Sequence, residues 1–181
     1  MTDGTAAPPM GPHRYAGKVV THAMGMRGAQ QQALAAVMPK QHDFHRADII
    51  IEGIDHSGPS FNVRLFGNNP AANAETAPTA ENGYLGEFHI FAHGFCFGDV
   101  GHCEVNDRGK SETDLRDPHQ LTPQRKIVVV TEGLKALLKR DGELRQVTLV
   151  PTAIGSMPKG MDPEKARDVL KYKSLRVLTY K

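Results

Sequence analysis

The chain has 181 residues, 39% of them hydrophobic, and a formal net charge of +2 with acidic and basic residues interspersed. That length suits one domain, or one domain with a tail, and the apolar fraction supports a packed core without a disulfide framework. No basic stripe interleaved with aromatics marks a nucleic-acid surface, no apolar run nears the roughly 20 residues that span a bilayer, and Met1–Pro9 lacks the basic start and apolar stretch of a signal peptide.

Cytoplasm is therefore the expected compartment, with the two cysteines as thiols, unless the chain is exported together with a partner that carries the signal. Trp is absent, so Val, Ile, Leu and a few Phe supply the core.

In chain order, residues 1–16 hold Pro8, Pro9 and Pro12 and are expected to form an extended arm. Lys18–Met24 suits a short strand, and Gly28–Val37 has a helix-forming composition stopped by Pro39. Residues 1–46 thus read as an N-terminal arm or linker, and residues 47–181 as the domain proper. Asp48–Gly53 is a β-branched run and a buried strand; after the turn Asp55–Pro59, Phe61–Phe66 alternates as a strand with one face buried. Gly67–Gly83 is a long surface loop.

Tyr84–Phe91 returns to strand character, with Phe88 and Ile90 on one face and His89 and Phe91 on the other. Gly94–Thr122 has no regular period, with Asp114–His119 a polar turn. Lys126–Thr131 is a strand, and Glu132–Lys139 a short helix with Leu134, Leu137 and Leu138 on one face and Thr131 as N-cap. Arg145–Val150 is another strand, and a short helical stretch precedes the last, Leu175–Tyr180. The basic residues Lys165, Arg167, Lys171 and Lys173 are interspersed with Glu164 and Asp168 and form a solvated face.

Six or more strands, one or two short helices and an irregular N-terminal arm describe a mostly β domain of sandwich or jelly-roll-like form. Alternating β-α units are missing, which argues against a Rossmann-type nucleotide fold, and the sequence contains no P-loop, nucleophile-elbow or H-E-x-x-H motif.

The runs Ile50–Ile54, Phe61–Leu65, Gly86–Phe88, a short helix and Val147–Pro151, taken in that order, resemble the C-terminal domain of plant polyphenol oxidases. That family reads V-E-G-I, K-F-D-V, a Gly-x-Phe strand, a short helix and V-T-L-V-P. Similar β-sandwich domains sit beside the di-copper domain in tyrosinases and molluscan haemocyanins. The match covers about residues 47–180 and rests on order and spacing. It implies a domain that covers the entrance of a type-3 copper site and keeps the enzyme latent; in fungal tyrosinases an analogous domain carries cysteines that help load copper. Two features depart from the family. The helices that hold the six copper-ligating histidines are not in this sequence, and the loop with Cys96 and Cys103 is richer than in the plant domains.

That loop concentrates the chemistry. His93, Cys96, His102 and Cys103 fall within eleven residues, and Gly94, Gly98 and Gly101 give the backbone freedom to converge them. Thiolate and imidazole suit Cu(I) and zinc alike. The spacing is not that of a zinc finger, and together with the resemblance it favours Cu(I). Two other chemistries stay open: a Cys96–Cys103 disulfide worth roughly 2–3 kcal/mol, or inert buried thiols. His89, His22, Met24 and Met26 are further candidate ligands, His89 being also suited to packing and the others to an incidental place in a linker. His42 and His45 are expected at the surface. Phe91, Phe95 and Phe97 fit either a partner interface or the domain's own core.

The function these features favour is a non-catalytic accessory domain or subunit of a type-3 copper oxidase, covering its active site, assisting copper delivery through the Cys/His loop, or both. The alternatives are a small metal-dependent oxidase that uses the loop directly, and a structural interaction module with a Cys96–Cys103 disulfide.

Overall fold

Strand formation follows the alternation of apolar side chains. In the stretch 61–67 Phe61, Val63 and Leu65 point to one side and are fully buried, and in 46–54 Ala47, Ile49 and Ile51 do the same. The computed structural model describes residues 14–23, 43–92, 122–155 and 161–181. They form β1 (Arg14–Ala16), β2 (Val20–Ala23), β3 (Arg46–Ile54), β4 (Phe61–Gly67), β5 (Tyr84–Ile90), β6 (Gln124–Val129), α1 (Thr131–Asp141), β7 (Gln146–Ile154), α2 (Pro163–Arg167) and β8 (Ser174–Tyr180).

Two antiparallel sheets result. One runs β1-β7-β4-β5, with β2 also on β7; the other runs β6-β3-β8. Their inner faces share one core, in which Ile49, Ile51 and Ile54 of β3 meet Phe61, Val63 and Leu65 of β4, Phe88 and Ile90 of β5, and Leu149 of β7. This is a β-sandwich-like fold. No helix among the described residues is long and apolar enough to cross a membrane.

The N-terminal stretch departs from expectation. Arg14–Ala16, expected in the extended arm, is an edge strand in register with Thr152–Ile154, while the short strand expected over Lys18–Met24 is present as Val20–Ala23, in register with Gln146–Leu149. Gly28–Val37 lies outside the described residues.

One end of the sandwich is closed by α1, whose Leu134 and Leu137 enter the core. Thr131 does not cap the helix; its hydroxyl accepts from the Ala47 amide at 3.0 Å, tying the helix start to β3. Gly133 lets the helix lie backbone-on-backbone against β5, since a Cβ there would come within 2.9 Å of the Leu85 Cα and the Tyr84 carbonyl. At the same end Asn68 takes a left-handed conformation, φ 54°, that Asn tolerates better than most residues. Its Nδ2 donates to the Asp141 carboxylate at 2.9 Å and the Glu143 carbonyl at 2.7 Å, while its Oδ1 accepts from the Arg145 amide at 2.7 Å. Arg140 reaches the Ala80 and Glu81 carbonyls at 2.7 and 2.8 Å, pinning the 68–83 loop to the helix.

Asn68→Ala removes these bonds and leaves a side chain that disfavours the conformation. A loss of about 2–4 kcal/mol in denaturant unfolding is expected. Asn68→Gly should lose less, because it keeps the backbone unstrained.

Asp141 gives a pH test. Bonds from Arg140 first and Asn68 second hold its carboxyl well below the usual carboxylate range. A carboxyl depressed in the folded state stabilises the fold at pH above its unfolded value of about 4, and that contribution is lost as pH falls below it. Asp141→Asn is therefore expected to be less stable than the parent at pH 7, with the difference shrinking below about pH 4.

Candidate functional site

The opposite end of the sandwich is organised by the connection between β3 and β4, residues 55–60. Its Asp55 amide donates to the Lys171 carbonyl at 2.9 Å, and its Ser60 carbonyl accepts from the Ile154 amide at 2.7 Å, fixing the approach to β8 and the end of β7. Two side chains of the same connection hold the exit of β5 and the entry of β6. The Ser60 hydroxyl accepts from the Ala92 amide at 3.1 Å, and the His56 Nε2 donates to the Thr122 carbonyl at 2.8 Å. His56 is buried, so its ring is placed by packing as well as by that bond. Ala92 and Thr122 flank the segment that carries His93, Cys96, His102 and Cys103. One connection of the sandwich therefore bonds the chain on both sides of the Cys/His segment.

The candidate ligands His93, Cys96, His102 and Cys103, together with Met24, Met26, Phe95, Phe97, His42 and Asp114–His119, lie outside the described residues. The remaining candidates do not come together. His89 stands on the outer face of β5, opposite Asn62, and is exposed, with its Nε2 3.7 Å from the Glu87 carboxylate; it is not packed into the core. His22 sits on β2 opposite Val147, on the inner side, with its ring 6.5 Å from that of Tyr172. Strands β2 and β5 are three strand spacings apart, roughly 14 Å. Among the described residues no three His, Cys, Asp or Glu side chains group as a metal site. A copper ion thus has no described ligand set, and no chemistry at His22 or His89 follows from their placement. His45 is exposed.

Phe91 divides the two uses open to the Phe residues. It is 88% exposed, one residue before the Ala92 clamp, and makes no part of the core. Phe88 and Ile90 are buried, matching the alternation expected of the strand.

The 68–83 loop joins β4 to β5 at the α1 end. It folds back on the sheet, where Ala72 packs against Phe66 and Val150. It therefore lies at the far end from Ala92 and Thr122.

A cleft of about 190 Å³ opens beside the 55–60 turn, lined by Tyr15, Asp55, Ser57, Met161, Lys165 and Lys171 among others. The Asp55 carboxylate is engaged by the Ser57 amide at 2.8 Å and hydroxyl at 2.7 Å. Burial raises the Tyr15 phenol above its ordinary value, so it stays protonated.

Sequence reasoning missed His56 and Ser60. Both sit in what reads as a polar turn, and their partners are 66 and 32 residues away, so no local signal marks them. Compared with known protein families, curated proteins and solved structures, the chain matches none.

Ser60→Ala should speed hydrogen exchange at the Ala92 amide and cost about 0.5–1.5 kcal/mol. The Gly67 amide, bonded at the other end, should exchange as before. His56→Ala is expected to cost more, since it also empties a buried site.

Proposed function

We propose that the chain is a non-catalytic accessory domain or subunit of a type-3 copper oxidase. Its clamped end seats on the mouth of the partner's copper site, and the Cys96, Cys103, His93 and His102 segment carries Cu(I) for delivery. The observation that carries this reading is Phe91, a large aromatic left almost wholly in solvent at the base of the Cys/His segment. Isolated exposed aromatics of this kind are typical anchors of protein interfaces, where buried aromatics dominate the binding energy.

Two further features support it. The runs that resemble the polyphenol oxidase domain lie in β3, β4, β5 and β7 of one sandwich, with α1 between β5 and β7. Function in such scaffolds sits on loops held by rigid strands, and here the grip on the loop comes from buried or bonded residues. The thiols stay reduced in the cytoplasm, where the loop meets its metal.

The reduced chain should bind about one Cu(I) tightly because thiolates are strong soft-metal ligands. Changing Cys96 and Cys103 to Ser should remove that site, and an unchanged titration would refute the delivery role. The isolated chain, with or without copper, should oxidise neither monophenols nor diphenols above a free-copper control. With a co-expressed type-3 oxidase, Phe91→Ala should weaken association by about 1–3 kcal/mol without lowering the melting temperature. A parent chain that captures no oxidase would sink the covering role.

A further inference from the structure

The cleft beside the 55–60 turn is lined by charges of both signs that do not neutralise one another. Asp55, Lys165, Asp168 and Lys171 all line it. Backbone bonds set them in two neighbouring couples: the Asp55 amide donates to the Lys171 carbonyl at 2.9 Å, and the Asp168 amide to the Lys165 carbonyl at 3.2 Å. Among the described residues, none of the four side chains nevertheless forms an ion pair. The Asp55 carboxylate engages Ser57 through Oδ1 alone, for both the amide and the hydroxyl, which leaves Oδ2 as an acceptor. Tyr15, Pro59 and Val169 give the same cleft an apolar wall.

From this we infer that the cleft is a binding site for a small zwitterion with a short apolar side chain, the chemistry of a free apolar α-amino acid. Size is the first selector: about 190 Å³ lies below the roughly 300–1,000 Å³ of drug-sized sites, so the occupant is small. Charge is the second. An ion of one sign meets two opposing charges along with two that match, and that repulsion works against it. A zwitterion sets its ammonium against the carboxylates and its carboxylate against the ammonium groups of the lysines. A wholly apolar molecule would desolvate four charges and pair none of them. The apolar wall receives the side chain, and the protonated Tyr15 phenol adds a donor for the carboxylate. The inference stands apart from the proposed function, since none of the candidate copper ligands lines the cleft.

The test titrates the full chain with L-leucine, L-methionine and L-phenylalanine in turn and follows backbone amides by NMR. Saturable shifts are expected at residues 55–59 and 165–171 with at least one of the three. For that amino acid, the N-acetyl form, which lacks the ammonium, and the amide form, which lacks the carboxylate, should each bind roughly tenfold more weakly. Asp55→Asn keeps an acceptor for Ser57 and so keeps the turn, while Asp168→Asn and Lys171→Gln change exposed side chains. Each should weaken binding roughly tenfold with the melting temperature unchanged, and added salt should weaken binding to the parent. The inference is overturned if none of the three amino acids saturates these amides, or if either singly charged form binds as tightly as the zwitterion. It is equally overturned if the charge variants bind like the parent, or if inorganic phosphate occupies the cleft more tightly than any of the amino acids.

Discussion

The β3–β4 connection is the constraint on which the end of the sandwich opposite α1 depends. Within residues 55–60 it bonds the approach to β8, the end of β7, the exit of β5 and the entry of β6. A turn that met only its own strands would leave those chain ends free to fray. Here the Ser60 backbone and side chain bond two different strands, and the buried His56 a third segment. The anchors are neutral hydrogen bonds, each worth about 0.5–1.5 kcal/mol net, but removing one leaves a partner unsatisfied at a strand end.

The two ends of the sandwich are built differently. At the α1 end, Asn68, Arg140 and Asp141 interlock loop, helix and strand through charge-assisted bonds, and the 68–83 loop is folded onto the sheet. That end stores stability. At the other end the same core strands deliver the bonded exit of β5 and entry of β6 and an exposed Phe91.

The central strands were legible in the sequence because their signals are local: the β-branched run Asp48–Gly53 is a buried strand and the alternation of Phe88 and Ile90 gives the buried face of β5, whereas Phe61–Phe66, expected to bury one face, buries Asn62 and Phe66 on the other as well. The helix was legible too, though Thr131 spends its hydroxyl on Ala47 instead of the cap. What escaped was non-local. Arg14–Ala16 has no strand signal of its own and pairs because β7 offers an edge. The run Lys126–Val129 is apolar on both faces, so nothing in it shows that Ile127 and Val129 turn outward. His56 looks like any turn histidine until Thr122 is brought to it. The Cys/His ligands were named from residue type alone, and their arrangement falls outside the described residues.

The central claim is that this sandwich holds a thiolate site for Cu(I) at its clamped end. X-ray absorption at the copper edge of the reduced, Cu(I)-loaded chain tests it most directly. The account predicts sulfur in the first coordination shell, lost when Cys96 and Cys103 are replaced by Ser. A shell of nitrogen and oxygen alone, unchanged by those substitutions, would contradict it.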